Sequence, residues 1–131
     1  AVLLDSTSFE KCSFPGSKLG NIDFVSTKFI KCDFAETMMD NTVFHPSTLK
    51  ECGFGKTSLV GSVFEKCDLS EFNFSEAKLN RTLFDKCKMK KVKMIGAELV
   101  GTSFLGSQIE QTELDMQGFV QYGQSQGFKL C

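Results

Sequence analysis

Three cysteines stand twenty residues apart, at Cys12, Cys32 and Cys52, and two more repeat that interval at Cys67 and Cys87. Thiolates bind metals, but a structural zinc site needs four ligands at tetrahedral corners. No Cys-x-x-Cys pair occurs in the chain, and three thiols in a line supply no fourth corner. A disulfide between stacked thiols is no better placed. Strands roughly 4.8 Å apart bring Cα atoms into range, yet parallel side-chain vectors fit the bridge poorly. Compact apolar packing is the remaining role, with these five thiols buried and reduced and Cys131 alone exposed and reactive. Such thiols suit a reducing compartment and favour a bacterial cytoplasm.

Other reactive groups are sparse. His45 is the only histidine, next to Pro46, and the sequence alone places no Ser, Cys or Asp beside it. No phosphate-binding glycine loop, calcium loop or paired-carboxylate motif occurs, so neither an enzyme nor a cofactor is expected. Five lysines cluster at Lys86, Lys88, Lys90, Lys91 and Lys93, with Arg81 nearby. A solvated charge run is the default for such a cluster, and contact with an anion, a phosphate or an acidic partner is the sharper alternative. The sequons at Asn73 and Asn80 are chance products of a chain rich in Ser and Thr.

What must position these groups is a five-residue ruler. From Leu4 to Phe119 every fifth residue is apolar, twenty-four stops in succession, and twelve of the fourteen phenylalanines stand on them. Only Phe72 and Phe128 do not. Such a fixed period decides architecture before any local signal. A helix would carry this stripe around its axis, and a long flat strand would turn alternate stops to the wrong side. Two residues before each stop the side chain is nearly always small, as at Thr7, Cys12, Ser17, Thr27, Cys32, Ser47 and Thr82. Positions i and i−2 share one side of extended backbone. Each pentapeptide is therefore a short inward-facing segment followed by a two-residue corner at i+1 and i+2. Gly16, Gly61, Gly96, Gly101 and Gly106, with Asn21 and Asn41, occupy i+2, where a type II turn needs positive φ. Pro46 cannot take positive φ, so its corner must turn differently.

On these residues the chain resembles the pentapeptide-repeat family, whose repeats read A(D/N)Lxx with a central Leu or Phe. Cys32-Asp33-Phe34, Cys67-Asp68-Leu69-Ser70 and Ala97-Glu98-Leu99 look like family repeats, and the resemblance runs over residues 2 to 119. It implies an all-β fold, a right-handed quadrilateral parallel β-helix of about six coils with four pentapeptides each. At the usual strand spacing that makes a rod about 25–30 Å long, with no α-helix inside residues 2–119. Burying each inward side chain favours folding by roughly 1.5–3 kcal/mol, and stability should run nearly one-dimensionally along the stack. Phe72, the one large aromatic in a small slot, is expected to widen its coil or push the backbone outward.

The stack suggests two regions: residues 1–119 as the repeat rod, and residues 120–131 as a C-terminal cap or the start of a following segment. The chain starts in phase without Met, with Val2 and Leu4 as an inward pair, so it reads as processed or excised from a longer protein. A net charge of −1 gives no global field for nucleic acid, and direct nucleic-acid binding is not expected. No run of eighteen apolar residues offers a membrane span, and residues 1–30 lack a signal-peptide core.

Unrolling the coils places Leu3, Asp23, Val43, Val63, Leu83 and Ser103 in one outward column. Val43, Val63 and Leu83 would form a short apolar ridge, either β-branched filling of a flat sheet or a docking face. The function expected is a non-enzymatic interaction or scaffold rod with a protein partner. These surfaces also allow a homodimer through the ridge or the coil ends. The Phe-rich Cys-Asp-Leu/Phe repeats are also similar to the quinolone-resistance pentapeptide proteins, which implies a DNA-mimicking binder of a type II topoisomerase as the alternative. The balanced charge, the unbroken repeat and the absence of a recognisable C-terminal dimerisation helix count against that alternative. A luminal or extracellular recognition domain, pairing a partner strand with an exposed edge, is the third.

Overall fold

The computed structural model describes residues 2–3, by backbone alone, and residues 7–46 and 48–131. Leu4 and Ser47 lie outside the described residues, as do the side chains of Val2 and Leu3, so the first inward pair and the foot of the ridge column do too. Ten short strands follow in order: β1 (Val2–Leu3), β2 (Ser8–Glu10), β3 (Ile22–Phe24), β4 (Lys28–Ile30), β5 (Val43–Phe44), β6 (Leu49–Lys50), β7 (Val63–Glu65), β8 (Leu83–Asp85), β9 (Lys88–Lys90) and β10 (Gln108–Glu110). One helix, α1 (Met116–Ser125), closes the chain.

All strand pairing is parallel and offset by twenty residues, as in Val63↔Leu83 and Phe29↔Leu49. The longest sheet orders β1-β3-β5-β7-β8, and a bridge from Leu83 to Ser103 adds a sixth level, enclosing about five turns. This is a four-sided parallel β-helix. The first face carries that sheet, and the second carries β2-β4-β6 and, separately, β9-β10. The third and fourth are laddered by single bridges such as Asp33↔Gly53 and Ser58↔Lys78.

Every stop from Phe24 to Leu99 is buried. Phenylalanines stack face to face along a column, as Phe64 on Phe84 at 5.1 Å, and meet edge to face across the core, as Phe64 with Phe74 at 5.8 Å. The corners obey the turn chemistry more strictly than their sequence shows. Every i+2 residue from Lys11 to Gln111 has positive φ except Pro46, and fifteen of them are not glycine. Side chains that rarely adopt this region are held there because a right-angled corner follows every five residues.

At Pro46 the corner shifts by one residue, as expected of a position barred from positive φ. Thr48 is buried there, and its N–H and hydroxyl donate to the His45 carbonyl at 3.3 and 2.7 Å. Among the described residues no ladder pair joins β6 to residues 68–70, and a cleft of roughly 350 Å³ opens between Pro46, Leu49, Lys50, Lys66, Cys67 and Asp68. Proline has no N–H to give the coil above, so one rung of this corner cannot form.

Three expectations are corrected. Helix α1 begins at Met116, inside the stretch expected to be free of helix, so Phe119 is not a sheet stop but lies 61% exposed on the helix. The ladder passes Phe72 undisturbed: its N–H donates to Leu69 O at 3.0 Å and its carbonyl accepts from Lys93 N–H at 3.0 Å. Smaller side chains above and below, Val92 and Cys52, give the ring its room, and it packs on Phe54 and Phe74 at 6.2 and 6.4 Å. Finally, Cys12 is only half-buried, whereas Cys32, Cys52, Cys67 and Cys87 are buried. Cys12 lies near the first level of the stack, where fewer coils cover it.

Helix α1 is a partial cap. The N–H groups of Leu99 on the fourth face and of Gly96 and Gly101 at its two corners would donate to a further coil. Instead they meet Asp115 Oδ2 at 3.1 Å, Gln121 Oε1 at 2.8 Å and Ser125 Oγ at 2.7 Å. Asp115 also caps the helix itself, accepting from Gly118 N–H at 2.8 Å. The approach is close at Gly118, where an added Cβ would stand 3.3 Å from Leu99 Cδ1 and 3.0 Å from Asp115 Oδ1, so both side chains would have to give way by a few tenths of an ångström.

Candidate functional site

Val43, Val63 and Leu83 are in direct register on neighbouring strands of the first face, with Asp23 below and Ser103 above. All three are half-buried. Period-two alternation sends Phe44, Phe64 and Phe84 inward and leaves these side chains outward on a run of parallel strands. The ridge read from the sequence is therefore a contiguous strip.

Beside it lies a group that sequence reasoning missed. His45 Nε2 sits 2.6 Å from Asp23 Oδ1, and its Nδ1 sits 3.6 Å from Glu65 Oε2. The imidazole thus bridges the coil below and the coil above along one edge of the ridge. Glu65 was findable, being twenty residues from His45, but Asp23 lies diagonally and depends on the imidazole's orientation. Both ring nitrogens face carboxylates, which leaves neither aimed at a nucleophile.

The lysines do not converge on one patch. Lys88 and Lys90 lie on the second face, Lys86 and Lys91 on its two corners, and Lys93 on the third face, a girdle around half the fifth level. Acids answer three of them from adjacent levels. Lys88 is in register with Asp68, Lys93 with Glu113, and Lys90 Nζ lies 3.5 Å from Glu110 Oε2. Burial works to raise the Asp68 carboxyl, but hydrogen bonds from Ser70 and the Lys88 and Lys90 ammoniums outweigh it and hold the group below its ordinary range. The girdle is a cross-coil charge lattice more than a free cationic surface.

The cysteines line the core wall. Cys87 Sγ donates to Phe64 O at 3.1 Å and Cys52 Sγ to Phe29 O at 3.3 Å. Burial pushes the Cys52 thiol up to about 11, and contact with the Cys87 thiol together with burial pushes Cys67 above its ordinary range. Among the described residues no grouping of three or more His, Cys, Asp or Glu could hold a metal ion, and no helix is long and apolar enough to cross a membrane.

A stack of four-sided coils built on a five-residue rule, with small donors at i−2 and Phe or Leu at the stops, defines a class of β-solenoid. The family model described as pentapeptide repeats matches residues 4–45, 47–84 and 67–106 in 8 copies, and the chain belongs to that family. No curated protein matches the sequence. Among solved structures it is similar to a trypsin-treated form of QnrB1, a plasmid-mediated fluoroquinolone resistance protein. That match has 15% identity and a TM-score of 0.43, covering 100% of this chain and 98% of that one. It is also similar to a pentapeptide repeat protein from the Arabidopsis thaliana thylakoid lumen, at 24% identity and a TM-score of 0.37, covering 78% and 66%. HetL, involved in heterocyst differentiation regulation in the cyanobacterium Nostoc, matches at 14% identity and a TM-score of 0.32, covering 87% and 73%. Likeness at this level transfers no partner and no activity.

Proposed function

We propose that the chain is a non-enzymatic interaction rod that docks a protein partner on its first face. The observation that carries this is the strip of Val43, Val63 and Leu83, stacked in register at the centre of the longest sheet. An apolar strip edged by the polar groups of Asp23, His45 and Glu65 has the anatomy of a protein interface, an apolar centre with a charged rim. The side chains support a binding role over catalysis, because the single histidine is clamped by carboxylates and the buried thiols face core carbonyls. Buried free thiols also support a reducing compartment.

The test is site-specific photo-crosslinking in the source cell with a probe at position 63, compared with one at Ser58 on the fourth face. Adducts confined to position 63, and lost when Val43 and Leu83 are changed to Lys, support the docking face. Equal yields at both positions would reject it, and an adduct of twice the chain's own mass would assign the ridge to a homodimer.

A further inference from the structure

The cap formed by α1 serves one face of four. Its acceptors meet Leu99 on the fourth face and Gly96 and Gly101 at that face's two corners. On the first and second faces of the sixth level the ladder stops. In lower coils the stop and the i+2 residue each donate an N–H upward, as Phe84 does to Ser103 O at 2.8 Å and Lys91 to Glu110 O at 2.8 Å. The corresponding N–H groups of Phe104, Gly106, Ile109 and Gln111 have no backbone acceptor among the described residues. All three residues of β10 are exposed along this edge.

The core is open at the same place. Phe104, Ile109, Thr112, Leu114, Phe119 and Tyr122 line an apolar socket of roughly 280 Å³, and Ile109 is 49% exposed although it occupies a stop. In every coil below, the next level's stop would cover it.

Charge narrows the occupant. On the second and third faces Lys88, Lys90 and Lys93 of the fifth level each stand next to an opposite charge on an adjacent level, whereas Lys86 at the corner stacks between Lys66 and Gly106. Lys88 pairs in register with Asp68, Lys93 with Glu113, and Lys90 reaches Glu110 at 3.5 Å. The top rim, carrying Glu110 and Glu113, is the acidic layer of this lattice, and among the described residues no further level pairs with it. A strand continuing the pattern along the second face would set an apolar side chain over Ile109 and a basic one over Glu110, while Glu113, beyond the corner at Gln111, adds to the negative field there. A second copy of this rim would bring further carboxylates instead.

We propose that the open edge at β10 is a strand-addition site for an extended segment of a partner protein whose residues alternate apolar and basic. Backbone hydrogen bonds to Ile109 and Gln111 give the pairing, the socket takes the apolar anchor, and Glu110 selects the cation above it, with Glu113 adding to the local negative field. This site lies on a different surface from the ridge and stands or falls without it.

The experiment uses the whole chain and two labelled heptapeptides, Thr-Lys-Val-Lys-Val-Lys-Thr and its glutamate counterpart, read by fluorescence anisotropy at low salt. The lysine peptide is expected to bind at least about tenfold more tightly, because rim charges set specificity. Amide hydrogen exchange at Ile109 and Gln111 should slow when it binds. Changing Glu110→Lys together with Glu113→Lys should reverse the preference, a readout that a loss of folding cannot produce. Equal affinity for both peptides, no binding by either, or unchanged exchange at those amides would overturn the proposal. Protection of the same amides without peptide, with a doubled mass in light scattering, would assign the edge to a second copy.

Discussion

The hydroxyl of Thr82 donates to the carbonyl of Leu59 at 2.7 Å, from one coil to the one beneath it. The same reach of twenty-three residues recurs at Thr57 to Phe34, Thr102 to Leu79, Ser107 to Phe84 and Cys87 to Phe64. The slot two residues before each stop therefore asks for a side chain that is small and also carries a donor, which is why Thr, Ser and Cys fill it more often than Ala. Leu59 O keeps its turn bond from Ser62 N–H at 3.0 Å, so the hydroxyl is a second donor to a buried oxygen.

Replacing Thr82→Val preserves shape and removes that donor. A loss of about 0.5–1.5 kcal/mol is expected in chemical denaturation, the usual net worth of one hydrogen bond, while Thr82→Ser should lose less of it. A Val variant as stable as the parent would show that the slot selects size alone.

Phe72 is 6% exposed and stacks on two other rings. Truncation to Ala should cost ~3–5 kcal/mol, since a ring-sized cavity between Cys52 and Val92 cannot collapse without breaking ladder bonds. A measured cost below about 1 kcal/mol would place the ring outside the core.

Thiol reactivity should sort by depth. Cys131 is exposed and should label first, Cys12 more slowly, and Cys32, Cys52, Cys67 and Cys87 only on unfolding. The attacking species is the thiolate, and Cys52, with its pKa raised to about 11, holds almost none near neutral pH. Mass spectrometry after timed alkylation reads the order. Fast modification of two of the four buried thiols in the folded protein would contradict it.

Asp68 is held below its ordinary pKa in the folded chain. A group depressed in this way stabilises the fold above its unfolded value, near 3.9, and loses that contribution as pH falls through the lower folded value. Asp68→Asn should therefore flatten the fall of the denaturation midpoint below about pH 4 and leave the slope at neutral pH alone. The same acid slope in both proteins would mean that the Ser70 and lysine contacts contribute nothing.

A DNA-mimicking role would need one face dominated by acids. Several of the acids that stack along the coils are answered by lysines, as at Asp68 with Lys88, Glu110 with Lys90 and Glu51 with Lys31 at 4.0 Å. Such pairs cancel beyond about one Debye length, ~8 Å at physiological salt. The chain is expected to leave gyrase supercoiling unaffected. Inhibition at submicromolar protein, abolished when Asp23, Asp33, Glu36, Asp40, Asp68 and Glu71 are neutralised, would establish the mimic instead.

The five-residue period was sufficient to assign the stops from Phe24 to Leu99 to the core, the glycine and asparagine corners to positive φ, and Val43, Val63 and Leu83 to one outward column. These follow from steric rules that act within a pentapeptide and are summed at a fixed offset, so they are legible wherever the period is unbroken. The tertiary structure decided what happens between levels and at the end of the stack. His45 finds Asp23 and Glu65, and Thr82 finds Leu59, through side-chain directions that spacing does not encode. Helix α1 takes over three residues before the last apolar stop because Asp115, Gln121 and Ser125 satisfy N–H groups that a further coil would otherwise have met. Ending the ruler is a matter of which backbone groups are left unpaired, and that is set only once the coils have stacked.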